Sequence, residues 1–467
     1  MCPFCLVSAL AAAWVALQGA FSSSGLVPDE TSWTNWNGTE SCRIETLYRP
    51  SSTEELLGLV QNAILSGKRI KAMGSGHSLN SIAVPDPGEW VVSLDRMAQI
   101  IAIDLDRNTI EAEAGATLKQ INEALAAKGL ALENLGSISD QTVGGVFQTG
   151  THGTGGAFGP LHTQIVELTV IDGRGVRKKV SPHCDPLLFR AWQCGLGSLG
   201  IAERVTLRAV PAKNLRERIS PALWPQLLDE IEAWIQNNLH FRCYWFPYTP
   251  CAGVWTANPA GKGEAQALVA ENPRAGNSEA LLALGATDPA VIEQYNRAFF
   301  EESFGTPKER IERSDRILNV DCSAHSHCVA MEAAVPASST KQFLLDLQKL
   351  IESNRYPVHC GVEIRFVKGD DALLSPAYSE RENALFCFVS VVTLRPQNQE
   401  VAYRPFHEAF QALAQQHEGR LHWGKMGKFD REDLARAYPE WETFLKLRHE
   451  EDPLGLFLNE FTRNVFD

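Results

Sequence analysis

The chain has 467 residues, 44% hydrophobic and 21% charged, with 43 basic against 56 acidic side chains and a formal charge of -13. That balance suits about two to four globular domains at roughly 100–200 residues each. It excludes a protein that coats nucleic acid, which needs a basic face to neutralise phosphates. Eleven cysteines, an odd number in a long chain, exclude a small disulfide framework and leave one or two bridges open.

Residues 4–20 are apolar and rich in Ala and Leu, with no Lys or Arg before them. Within residues 1–24 this reads first as a secretory signal ending near Gly19-Ala20, then as a retained membrane anchor, then as an unprocessed tail. Asn37-Gly38-Thr39 is a glycosylation sequon, usable only in a secreted chain. The expected location is therefore the secretory pathway or outside the cell, with membrane association if the anchor is retained. No later stretch is apolar over eighteen residues.

From about residue 36 to 211, helices and strands mix. Residues 54–65 (EELLGLVQNAIL) have helical spacing, with Leu56, Leu57, Val60, Ala63 and Ile64 on one side. Strands are predicted at 69–73, 90–94, 109–114 and 164–171, and a helix at 118–128 stopped by Gly129. From 212 to 419, predicted helices at 222–237 and 340–353 alternate with long strands such as 384–394 (ALFCFVSVVTL). Residues 257–277 read as a loop or disordered insertion. Residues 420–467 hold a compact helix and several turns. The class is α+β.

Three glycine-rich loops carry the chemistry. GSGHSLN, residues 74–80, follows a strand. Gly74, Ser75 and Gly76 allow a tight turn and close approach of backbone amides to a pyrophosphate, with His77 at the apex and Ser78 and Leu79 after it. An imidazole there is able to bond covalently to a flavin methyl carbon; the simpler reading of this loop alone is a turn with an incidental histidine. The second loop, residues 135–156, sets Gly136, Ser137, Ser139, Gly144, Gly145, Gly150, Thr151, His152, Gly153 and Thr154 around the apolar anchors Val143, Val146 and Phe147. A plain linker is more uniformly polar, so the loop reads as a cradle for phosphates and a ring edge. The third, GLGSLG at 195–200, matches a dinucleotide fingerprint literally. The expected order is reversed, with a helix before it (186–193) and a strand after it (201–210), which argues against a nicotinamide site.

In this order the loops resemble the vanillyl-alcohol-oxidase type of FAD-binding domain, and more narrowly the aldonolactone oxidase family of gulonolactone and arabinonolactone oxidases. GSGHS matches that family's flavin-attachment loop, with His77 at the covalent position. LGSIS and THGTG match the second loop, and GLGSLGI, with Gly200 and Ile201, the third. HWGK at 422–425 is similar to the family's HWxK motif. RCYWFPYT (242–249), EIR (363–365) and the ending DPLGLFLNEF (452–461) fit as well, so the resemblance runs from about residue 36 to the end. It implies a two-subdomain FAD-binding domain over 36–211, a sheet-based substrate (cap) domain over 212–419, and a C-terminal segment, 420–467, that completes the flavin site.

The resemblance further implies that a sugar lactone loses hydride to flavin N5, with O2 or another electron acceptor closing the cycle. Glu363 and Arg365, two apart on a strand, share one face; the resemblance turns that face toward the flavin. Lys425 is the second candidate cation, with His422 to orient it or shuttle a proton. His422, Glu363 and Lys425 all remain candidates for the base. Polyol oxidases of this superfamily carry a histidine on the strand after EIR; here the stretch is Phe386-Cys387-Phe388, which favours a lactone over a sugar alcohol. Cys322, His325, His327 and Cys328 offer zinc-type ligands, but the apolar run 329–335 behind them points to a core strand, and no metal is expected. The leading function is oxidation of an aldono-1,4-lactone to an ascorbate-type product. An oxidase of another sugar or polyol stands second, and a non-catalytic sugar-binding relative third.

Overall fold

The computed structural model describes residues 29–261, 264, 281–282, 288–319, 327–395 and 401–467. The N-terminal apolar segment, most of the 257–277 insertion, and Cys322 and His325 lie outside the described residues. Among the described residues no helix is long and apolar enough to cross a membrane.

Local signals set the first elements. Helix Thr53–Ser66 begins at Ser52, whose side chain accepts from the Glu55 N–H, and ends at Gly67 in the left-handed region, φ 60°. It buries Leu56, Leu59, Val60 and Ala63. Around it lies a four-stranded sheet ordered Asp29–Thr34, Ser41–Tyr48, Trp90–Ser93, Ile70–Met73. A five-stranded antiparallel sheet follows: Ile100–Asp104, Thr109–Glu113, Gly200–Arg208, Ile165–Asp172, Arg177–Val180. The helix Pro186–Trp192 does precede the GLGSLG turn and the strand Gly200–Arg208 does follow it, the reverse of a dinucleotide unit.

The third sheet is eight-stranded and antiparallel, ordered Lys308–Arg313, Asn214–Leu223, Cys251–Pro259, His240–Trp245, Val362–Lys368, Leu385–Leu394, Cys328–Pro336, Arg420–Leu421. Alternation divides its strands between two faces. Cys243, Trp245, Ile364, Phe366, Val389 and Val391 pack under helices Thr340–Asn354 and Arg404–Gln416 in one apolar cluster. The alternate residues face the second glycine-rich loop, whose His152 and Thr154 reach Glu332 and Phe241. A separate cluster joins the first two sheets to the C-terminal segment through Val92, Ile171, Trp423, Trp441, Phe444 and Phe466.

Several expectations are corrected. The 222–237 stretch is not one helix: its first residues end a strand, and two short helices, Trp224–Asp229 and Ile231–Asn237, break at Glu230. Trp224 begins the first with Pro225 next, a favoured start, and no side-chain cap is present. The C-terminal region carries helices Arg431–Ala437, Trp441–Glu451 and Glu460–Phe466 rather than one. Asn37 is not an open glycosylation site. It is 1% exposed, its Nδ2 donates to the Cys328 carbonyl, and its Oδ1 accepts from the Cys328 N–H. The amide thus acts as a strand partner between the N-terminal hairpin and the large sheet. Asn37→Ala leaves both backbone groups unpaired and is expected to lower stability by about 1–3 kcal/mol, read from the denaturant midpoint.

Candidate active site

Three chain regions converge. The turn between the first two strands clamps the GSGHS loop: Trp36 N–H donates to the Gly76 carbonyl at 2.8 Å, Asn35 Nδ2 to the Ser78 carbonyl at 2.9 Å, and Thr39 Oγ1 to the Leu79 carbonyl at 2.8 Å. Gly76 has φ 69°, which favours glycine. His77 is half-buried; Ser75 Oγ lies 2.9 Å from its Nδ1, and the Trp36 ring stacks on it at 5.5 Å. Burial lowers its pKa against the opposing charge of Asp140, so the imidazole is neutral near pH 7.

The C-terminal HWGK turn sits against the same loop. Leu79 N–H donates to the Gly424 carbonyl at 2.9 Å, and Asn80 Nδ2 to the carbonyls of Trp423 and Lys425, each at 2.8 Å. A Cβ on Gly424 would lie 3.5 Å from Ser78 Oγ. The His77 loop and the turn that carries Lys425, far apart in sequence, therefore pack against each other.

The second loop is divided in its duties. Gly144 packs on the Ala114 backbone and Gly153 on Leu135 and Asn134, each too close for a Cβ; Gly150 has φ 72° and packs on Pro376. Gly136 touches Thr151, and its carbonyl accepts from Asn319 Nδ2. Gly145 stays exposed within the helix Val143–Val146. Thr154 bonds the Phe241 carbonyl, which ties this loop to the large sheet. Gly200 and Ile201 are buried in the five-stranded sheet, paired with Asp172 and Ile171.

One observation points to an anionic ligand. The consecutive amides of Gly74, Ser75, Gly76, His77 and Ser78 donate to no protein acceptor among the described residues, and neither do those of Gly136, Ser137, Ile138 and Ser139. Backbone N–H groups are rarely left without a partner, and a left-handed glycine within such a run makes a concave anion nest. These loops fit a nucleotide pyrophosphate and its ring.

The polar face of the large sheet closes the site. Register places Tyr244, Glu363, Ser390 and Glu332 in one row, and Arg242, Arg365, Phe388 and Ala334 in the next. Tyr244 OH donates to Glu363 Oε1 at 3.0 Å, and Glu363 Oε2 is 3.6 Å from Arg365 Nε. Burial would raise the Glu363 carboxyl, but Arg365 and Arg242 outweigh it and hold it below its ordinary value. Arg242 stacks over the Trp255 ring at 4.2 Å. Buried Arg242 Nε, Arg365 Nε and Glu332 Oε2 make no hydrogen bond, an arrangement suited to a polyhydroxylated ligand.

His422 is placed differently from expectation. Its Nδ1 accepts from the Gly424 N–H at 3.0 Å, and burial lowers its pKa to about 3. A neutral ring with its Nδ1 lone pair so engaged carries its proton on Nε2, where it can donate to an oxygen but has no lone pair open to take a substrate proton. Lys425 forms no ion pair among the described residues. Glu332, Tyr244 and Arg242 were not singled out from sequence. The signal for Glu332 was present: one carboxylate inside the apolar strand VAMEAAV, where a charge is buried only when paired.

Comparison with known proteins agrees with this architecture. The profile of the D-arabinono-1,4-lactone oxidase family matches residues 205–465, and that of an FAD-binding domain matches residues 44–181. An L-gulonolactone oxidase of Scyliorhinus torazame is 33% identical over 92% of this chain and 97% of its own. An L-gulono-1,4-lactone dehydrogenase of Mycobacterium tuberculosis is 29% identical over 93% and 98%. A crystal structure of cholesterol oxidase from B. sterolicum superposes with a TM-score of 0.80 over 94% of this chain and 97% of that one at 16% identity, which shows the fold. The chain thus has the two-subdomain FAD-binding domain and sheet-based cap of the vanillyl-alcohol-oxidase type, is a flavoprotein oxidoreductase, and belongs to the aldonolactone oxidase family.

Proposed function

We propose that the protein oxidises an aldono-1,4-lactone of the D-arabinono or L-gulono type at a ring hydroxyl, that His77 carries the FAD covalently, and that O2 is the electron acceptor, giving H2O2 and an ascorbate-type product. Bound FAD supplies the hydride acceptor. The protein's own residues do the rest. Glu363, ionised and held by Tyr244, accepts a hydrogen bond from the reacting hydroxyl. Arg365 and Arg242 fix that carboxylate, and Lys425 brings positive charge beside the His77 loop. The observation that supports this reading best is the buried polar sheet face, with its unsatisfied nitrogens and carboxylate oxygen, set against the second glycine-rich loop at His152. Phe388 stands beside Arg365 in the register, where the polyol branch would need a histidine, which favours a lactone. Residues 4–20 support a secretory or membrane-attached location; the buried sequon lends it nothing.

Anaerobic mixing with a panel of lactones tests the substrate: flavin absorbance bleaches with the true one and returns on adding oxygen. Bleaching by sugars or polyols alone overturns the substrate, and slow return in air overturns the acceptor. For the linkage, acid precipitation of wild type leaves yellow protein. His77→Ala leaves a colourless pellet with all flavin in the supernatant; colour that stays with the His77→Ala pellet refutes the attachment site.

A further inference from the structure

We propose that Glu332 is a positioning residue for lactone oxidation, the buried anion that fastens the flavin loop to the substrate sheet and sets the Arg365 guanidinium. This rests on the active site proposed above. Glu332 is 1% exposed in the strand Cys328–Pro336. Its neighbours there, Met331, Ala333 and Ala334, are buried and apolar, so packing alone calls for no charge. Burying a lone carboxylate costs several kcal/mol, and the structure shows what offsets it. Arg365 Nη2 is 2.5 Å from Glu332 Oε1, and His152 Nε2 is 3.2 Å from the same oxygen. The His422 N–H donates to the Glu332 carbonyl at 2.9 Å. Glycine-rich loop, large sheet and C-terminal turn thus meet at one residue. Burial would raise its carboxyl, but Arg365 and His152 outweigh that and hold it well below the ordinary range. It is ionised at neutral pH.

His152, Glu332 and His422 place ligand atoms within 4.8 Å of one another, which invites a metal reading. The contacts oppose it. The Gly424 N–H occupies His422 Nδ1, and the Arg365 guanidinium, a fixed cation 2.5 Å from Glu332 Oε1, repels a second one. His152 Nε2 lies 3.2 Å from Glu332 Oε1, which as a carboxylate can only accept, so Nε2 carries the proton and offers no lone pair to an ion. Arg365 Nη2 is 3.4 Å from that Nε2. The guanidinium is the cation of this cluster. Held from behind by Glu332, it keeps Nε, which makes no hydrogen bond, toward Glu363. Without Glu332 it is free to collapse onto Glu363 and neutralise the carboxylate that meets the substrate.

The test measures kcat, KM, flavin absorbance per chain and the thermal midpoint for wild type, Glu332→Gln, Glu332→Asp, Arg365→Gln and the Glu332→Gln/Arg365→Gln double variant. Glu332→Gln is expected to keep flavin and lose about 100-fold in kcat/KM, the scale of a misplaced group in a site. The double variant is expected to fall no further than Arg365→Gln alone, because Glu332 acts through Arg365. Losses that multiply, or a folded Glu332→Gln with wild-type kcat/KM, overturn the role. If Glu332→Gln does not fold, Glu332→Asp decides: it keeps the charge but withdraws it, and unchanged kcat/KM there refutes the proposal. A wild type that bleaches with no lactone refutes the substrate reading and this proposal with it; wild-type bleaching matched by both Glu332 variants refutes only the latter.

Discussion

Lys425→Met is expected to lower kcat/KM for the lactone by about 100- to 1,000-fold, a loss of ~2.7–4 kcal/mol in transition-state stabilisation, while flavin content and thermal midpoint stay near wild type. The expectation follows from how the site's cations are engaged. Arg365 is bound by Glu332 and lies 3.6 Å from Glu363. Arg242 is 3.6 Å from Glu363 and covered by Trp255. Lys425 alone of the three has no carboxylate partner among the described residues, and its backbone is pinned to the His77 loop through Asn80. With FAD bound, hydride transfer would bring negative charge beside this turn, and a cation already in place would stabilise it without reorganisation. Methionine keeps the length and removes the charge. Anaerobic stopped-flow reduction of the flavin isolates the step; a reduction rate within threefold of wild type would sink the assignment.

The second large effect is loss of stability in mild acid. Burial pushes His240, His359 and His407 down to about 4, and His422 to about 3, from an ordinary value of 6.5. With folded-state values depressed, the unfolded chain binds more protons below pH ~6.5, so stability rises with pH there. It is complete above that value and declines as pH falls toward 4. Each such histidine contributes ~1.4 kcal/mol per pH unit in the window, which amounts to about 8 kcal/mol for the four at pH 5, comparable with a whole domain's stability. Glu332 and Glu363, held low by arginines, lose their contribution only below the carboxylate range and do not mask the effect. Thermal midpoints at pH 7.5 and pH 5.0 are expected to differ by more than about 10 °C. Equal midpoints would mean that these rings are charged or solvated in the fold.

Much of this site could be read from the chain because it is built from local signals. The helix Thr53–Ser66 is bounded by Ser52 and Gly67, and the GSGHS turn follows its strand directly. Glu363 and Arg365 share a face because strand period is two. What sequence reasoning misplaced involved partners distant in the chain. Asn37 carries a sequon, yet its amide is spent on Cys328. Glu332 looked like part of a core strand, and only register with Ser390 and proximity to Arg365 give it a role.

The amino-acid sequence by itself determined the family, the order of the glycine loops and the residue types that chemistry requires, since these depend on spacing along one strand or turn. Tertiary structure alone decided that Lys425 has no carboxylate partner among the described residues and that Glu332 is buried against Arg365. Those properties depend on desolvation and on hydrogen bonds between groups tens to hundreds of residues apart, and no local pattern encodes them.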